Sequence, residues 1–282
     1  MKNAFYILLS HLKTPHYIFK NIMWRFPKTI SDEKVIFVLG TPRSGTTLLQ
    51  KILEAHSKLF SIHSETAIFS FQNFWDSKRR LFDMDTKESS MILKKSIDNV
   101  DFFQNAVRHL GKSNPGMIFI EKTPQHIKYL DFLIAHFPKA KFVHIVRDGR
   151  DCYCSARNHP WIPQSRSLQT FGKFYARCLS QGINAYDHPN VFTIKYEDLV
   201  ADPKIELSKL MSGLELTLED AQLDASLRSK DNRANLEQFK KLNGQIDSSS
   251  VERWRNELSS KEIEEFNSYA GDQLAFYGYS VD

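Results

Sequence analysis

"VLGTPRSGTTLLQKIL", residues 38–53, begins as an apolar run, passes through a glycine-bracketed loop and ends as an amphipathic helix. Gly40 and Gly45 allow the backbone to turn tightly and to approach a ligand closely. Unpaired N–H groups at the start of the helix point into such a loop, and the helix dipole adds attraction for negative charge. The stretch therefore predicts an anion site between a strand and a helix. The phosphate loop of nucleoside triphosphatases would require Lys at position 46 and Ser or Thr at 47. Here Thr46 stands where that lysine would be, followed by Thr47. The cation of the loop is Arg43, next to Ser44, and its guanidinium can fork onto a phosphate or sulfonate oxygen.

Working outward, five short apolar, β-branched or aromatic runs read as buried strands: 35–39, 59–63, 117–121, 141–146 and 191–196. Helical patterns separate most of them. Residues 45–57 align Leu48, Leu49, Ile52, Leu53 and His56, and residues 125–137 align Ile127, Leu130, Leu133, Ile134 and Phe137. The alternation predicts a three-layer α/β/α fold of the P-loop NTPase-like kind, with a central, mostly parallel sheet of about five strands. Residues 1–282 read as a single domain, with an N-terminal helical extension over 1–30 and a helical insertion over 66–114. The polar, basic stretch 228–250 is too long for a simple connection. Ser259 and Glu262 have capping-box spacing, and apolar residues recur helically after them up to Tyr277.

The chain has 282 residues, 41% of them hydrophobic, which allows a sizeable core, and a net charge of +5. That mild excess suits an anionic ligand. No long basic tract with interleaved aromatics is present, so no nucleic-acid partner is expected. Cys152, Cys154 and Cys178 are too few and wrongly spaced for a disulfide scaffold or a zinc site, and no metal site is expected. The N-terminal apolar stretch Ala4–Leu9 is too short to span a bilayer and lacks a cleavage site, which makes the cytoplasm the default compartment. The favoured reading of residues 1–26 is a helix packed on the domain. The second is an interfacial helix touching a membrane, with Lys13, Lys20 and Arg25 beside Phe19, Trp24 and Phe26.

At the end of the fourth strand, "HIVRD" places Arg147 where a magnesium-binding carboxylate would be wanted. With the missing lysine, this points away from the alternative reading, a divergent P-loop kinase or nucleotide hydrolase. Ligands of open α/β sheets bind along the C-terminal edge of the strands, where Arg147 lies. If a helix begins near Gly149, Ser155 sits roughly one and a half turns into it, within reach of the same anion.

"TPRSGTTLLQKILEAH" resembles the 5′-phosphosulfate loop of the sulfotransferase family, whose members use 3′-phosphoadenosine 5′-phosphosulfate (PAPS). "FVHIVRDGRDCYCSARN" is similar to the family's 3′-phosphate element, with Arg147 and Ser155 at its Arg and Ser positions. "IKYEDLVADP" and "VERWRNEL…LAFYGY" resemble later family segments, so the likeness runs from about Val35 to Tyr279. It implies sulfuryl transfer from PAPS, without a metal, leaving adenosine 3′,5′-bisphosphate. It implies nucleotide contacts from Arg43, Ser44, Gly45, Thr46, Thr47, Arg147, Ser155, Tyr196 and Arg253.

Sulfuryl transfer needs a base for the acceptor proton and cations for the leaving phosphate. "SIHSETAIF" puts Glu65 just past the second strand, and its SET element resembles the tyrosylprotein and carbohydrate branches, in which a glutamate is the base. Small-molecule members carry a base histidine in a Lys-Thr-His element. Here "EKTPQH" has Pro124 at that place, leaving His63 and His126 in reserve. Lys122 resembles the family's active-site lysine, and its plainer role is an ion pair with Glu121. Glu65, Lys122 and Arg43 form the expected catalytic set. A small-molecule or glycan acceptor is expected, its pocket flanked by 66–114 and 157–170, with Trp161 as an aromatic platform. Arg228, Lys230, Arg233, Lys240 and Lys241 could fold over the cofactor.

Overall fold

The computed structural model describes residues 19, 21–24, 26–70, 82–159, 162–225 and 248–281. Lys13, Lys20, Arg25, Trp161 and the basic residues between 228 and 241 lie outside them.

Five strands form one sheet: β1 Val35–Gly40, β2 Leu59–Ser61, β3 Ile118–Lys122, β4 Lys141–Val146 and β5 Val191–Lys195. Their order is β2-β3-β1-β4-β5, and every pairing is parallel. The helices between them are α1 Thr46–Glu54, α2 Thr86–Lys95, α3 Asn99–Gly111, α4 Leu130–His136, α5 Gly149–Ala156 and α6 Leu168–Asn184. After β5 come α7 Tyr196–Ala201, α8 Pro203–Gly213, α9 Asp220–Leu223, α10 Trp254–Glu257 and α11 Ser260–Phe276. The fold is the expected α/β one.

Several element ends shift from the sequence reading by one to three residues, with Tyr196 opening α7 rather than closing β5, and two departures have a clear local cause. The strand expected over 59–63 stops at Ser61, because Ile62 O accepts from the Gln50 side chain and His63 N–H donates to Asp83. The single helix expected over 125–137 divides into a 3₁₀ segment, Pro124–Tyr129, followed by α4. Pro124 opens the tighter turn, and His126 N–H bonds back to Thr123 O at 3.0 Å.

β1 is buried along its whole length, as a central strand covered on both faces must be. Period-two alternation divides its side chains. Val35, Phe37 and Leu39 enter a phenylalanine-rich cluster on one face, while Ile36 and Val38 join Leu49, Ile52 and Leu53 on the other. Phe37 is the hub of the first cluster, its ring centroid 5.3–5.5 Å from those of Phe103, Phe137 and Phe142. A third cluster joins α5, α6 and α11. The Ser259–Glu262 capping box is formed in both directions and starts α11.

The ends of the chain are tied to this body. Trp24 is buried, its ring centroid 6.0 Å from that of Phe102 in α3. Asp98, the N-cap of α3, accepts from Lys28 N–H, Thr29 N–H and the Thr29 hydroxyl. At the other end Arg150, only 1% exposed, donates twice to Asp148 and once to Ser280 O, and lies 3.8 Å from the centre of the Trp254 ring. All three cysteines are free and buried. Among the described residues, no helix is long and apolar enough to cross a membrane.

Truncation of the hub ring tests this packing. Phe37→Ala is expected to lower unfolding free energy by about 3–5 kcal/mol, read from chemical denaturation.

Candidate active site

The C-terminal ends of all five strands meet along one edge, and each delivers a residue there. β1 runs into the Gly40–Gly45 loop and β2 is followed by Glu65. β3 ends in Lys122, β4 is followed by Arg147, and β5 by Tyr196.

The loop after β1 is built for close approach. Gly45, the N-cap of α1, has φ 103°, in the left-handed region. A Cβ there would lie 2.6 Å from Cδ2 of Tyr196, so both backbone and packing demand glycine. Arg43 also has a positive φ of 73°, a strained conformation for a non-glycine residue. Ser44 stitches the loop from within, its hydroxyl donating to Thr41 O at 2.8 Å. No side chain caps α1, whose first helical bond is Leu49 N–H to Gly45 O at 3.0 Å. The first-turn N–H groups, including those of Thr46 and Thr47, precede it and have no acceptor within the helix. They are the donors an anion would use.

Beside the loop, arginines converge. Arg43 Nε donates to the Ser155 hydroxyl at 2.9 Å, which joins the first loop to α5. Arg147 is 5% exposed. Its Nη1 donates to Arg43 O at 3.2 Å, its Nη2 donates to Ser250 O, and its guanidinium lies 4.4 Å from the centre of the Tyr196 ring. Its Nε is buried with no hydrogen-bond partner among the described residues. Burial and the nearby charges of Arg147 and Arg253 push the Arg43 guanidinium below its ordinary range. A guanidinium does not give up its proton in a protein, so an anion, not deprotonation, would relieve this crowding. Arg253 is held at the rim by Glu257 at 2.6 Å.

Arg147 does not pair tightly with either nearby acid. Asp148 goes to Arg150, and Asp151 Oδ2 stands 3.7 Å from Arg147 Nη2. Asp151 accepts instead from Glu252 N–H and Trp254 N–H, and burial pushes its carboxyl up to about 6.

On the other side of β1, Lys122 and Glu65 form an ion pair at 2.8 Å. The lysine is buried, and the glutamate side chain is about half exposed. The ion pair expected between Lys122 and Glu121 does not form, because neighbouring residues on a strand point to opposite faces. Glu121, fully buried, instead accepts from the hydroxyls of Thr66 and Thr123 at 2.7 and 2.6 Å, and pairs with His126 Nδ1 at 3.0 Å. Phe69 N–H donates to His126 Nε2 at 3.2 Å, so the ring proton sits on Nδ1 and is given to Glu121. Burial alone would raise the Glu121 carboxyl. The His126 ring and the hydroxyls of Thr123 and Thr66 outweigh it and hold the group below its ordinary value. Ala67 N–H donates to the Thr123 hydroxyl at 3.0 Å, so the network grips residues 66–69, immediately past Glu65. His126 is thereby locked in a structural role, while His63 is exposed beyond β2. The sequence signal for Glu121 was present in "EKT", where alternation on β3 sends one of two adjacent charges inward.

An all-parallel sheet with a glycine-bracketed loop after its central strand, and a cluster of cations beside it, is a P-loop-like architecture. Residues 35–220 match the sulfotransferase family, and the chain belongs to that family. Protein-tyrosine sulfotransferase 1 of Danio rerio is 28% identical over 207 residues, covering 68% of this chain and 56% of that protein. The sulfotransferase domain of the Synechococcus PCC 7002 olefin synthase superposes with a TM-score of 0.67 at 20% identity, covering 88% of this chain and 98% of that one. Mouse sulfotransferase SULT7A1, solved in complex with PAP, superposes at 0.50 with 16% identity, covering 89% and 91%. The chain spans between 31% and 56% of the length of the curated relatives first matched.

Replacing Glu121 by Ala leaves three buried donors unmatched and is expected to lower stability by on the order of 3 kcal/mol. Because the folded carboxyl lies below its ordinary value of 4.5, its contribution is fully present above that pH. It is lost as pH falls through the folded value. The stability difference between wild type and Glu121→Ala, followed by denaturation at several pH values, should shrink on acidification.

Proposed function

We propose that this chain transfers a sulfuryl group from PAPS to an acceptor hydroxyl. The observation that carries the reading is the Lys122–Glu65 pair at 2.8 Å, set on the same sheet edge as two groups of anion donors. The donor set suits a nucleotide charged at both ends of its ribose. When bound, PAPS supplies an activated sulfonate on a phosphate leaving group. The N–H groups of Ser44, Gly45, Thr46 and Thr47, with Arg43, would face its 5′ end. Arg147 and the Ser155 hydroxyl would hold the 3′-phosphate, with Tyr196 and Arg253 lining that side. The bond between Arg43 and Ser155 would couple the two groups of donors.

Glu65 would accept the proton of the acceptor hydroxyl as that oxygen takes the sulfuryl group from the phosphate. Lys122 and Arg43 would stabilise the charge left on the phosphate. The acceptor belongs to the hydroxyl class of carbohydrates, peptides and small metabolites.

Two substitutions separate the roles. Glu65→Gln should reduce labelled-sulfate transfer by about a hundredfold or more. Its affinity for adenosine 3′,5′-bisphosphate, measured by calorimetry, should barely change. Unchanged turnover removes Glu65 from the mechanism. Arg147→Ala should weaken nucleotide binding by about 2–3 kcal/mol in protein that remains folded by circular dichroism. A negligible loss moves the 3′-phosphate elsewhere.

A further inference from the structure

Residues 1–31 contain Lys2, Lys13, Lys20, Arg25 and Lys28 and no acidic residue, so the whole net charge of +5 lies there and the rest of the chain is charge-balanced. The described part of this stretch has two unlike sides. Asn21 and Trp24 are buried against the body, at 2% and 5% exposure. Phe19, Ile22 and Met23 on a short helical segment, and Phe26 and Ile30 in the irregular chain after it, are 46–72% exposed. They are five of the eleven large hydrophobic residues exposed among the described residues, gathered within twelve positions. Such clustering marks an interaction surface.

We infer that this N-terminal face docks on the surface of an anionic lipid bilayer. Trp24 anchors the segment to α3, and Phe19, Ile22, Met23, Phe26 and Ile30 enter the headgroup–acyl boundary. The sequence's net charge over 1–31 adds long-range attraction to acidic headgroups, with Lys28 in the described part. An apolar face and a purely basic charge complement are the two signals that peripheral attachment needs, one reinforcing the other. A second copy of this chain is a poor occupant, since a two-fold contact would press two strongly positive stretches together.

The test floats the full chain with vesicles of phosphatidylcholine alone, or with roughly 30 mol% phosphatidylglycerol added, at about 0.1 M salt. At least tenfold more protein is expected on the anionic vesicles, and most of it should leave at about 0.5 M salt as the charges are screened. Ile22→Ser/Phe26→Ser should lose binding while keeping the wild-type melting temperature. Lys13→Glu/Lys20→Glu should lower recovery on the anionic vesicles at about 0.1 M salt by roughly tenfold or more, and unchanged recovery overturns the inference. Equal recovery on neutral vesicles, no recovery on either, or full binding by the serine variant overturns the inference. So does a concentration-dependent dimer in sedimentation that the serine variant abolishes, which would assign the face to a second copy.

Discussion

The guanidinium of Arg147 holds the site together. It leaves the end of β4 and donates to Arg43 O in the loop after β1 and to Ser250 O in the segment before α10. It also lies on the ring of Tyr196, just past β5. Its own carbonyl accepts the Tyr175 hydroxyl of α6 at 2.7 Å. Three strand ends, α6 and the segment before α10 are therefore referenced to one residue. Tyr196 in turn closes on Gly45, so the shape of the first loop depends on a residue about 150 positions later in the chain. A loop that must meet an anion with backbone N–H groups gains rigidity from this, and rigid donors need not reorganise when charge builds up.

Charge on the edge is divided by strand geometry. β3 presents Lys122 toward the edge and sends Glu121 into the interior. Each then finds its partner in the segment after β2: Glu65 for the lysine, Thr66 for the glutamate. A buried carboxylate without a cation is costly unless several donors converge on it. Here three do, and they belong to segments that must be held still if Glu65 is to keep its distance from Lys122. The stability of the network and the placement of the Glu65 carboxylate are thus one problem with one solution.

Much of this was legible in the sequence because it depends on local rules. Runs of β-branched residues marked the five strands, Gly40 and Gly45 marked the loop, and Gly149 marked the helix that brings up Ser155. What was not legible depends on contacts between distant segments. The bond from Arg43 to Ser155 spans 112 positions, and that from Thr66 to Glu121 spans 55. No local pattern states which of two nearby arginines an acid will choose, and Asp148 pairs with Arg150 rather than with Arg147. The break at Tyr129 was hidden because a 3₁₀ segment and an α-helix share almost the same apolar spacing over one turn.

Arg150 gives the last residues of the chain an unexpected weight. Its guanidinium is sealed between Asp148, the Trp254 ring and Ser280 O. Losing Ser280 would open one wall of that enclosure and leave a buried cation with fewer partners, so a change 130 positions away would act on the segment that carries Arg147.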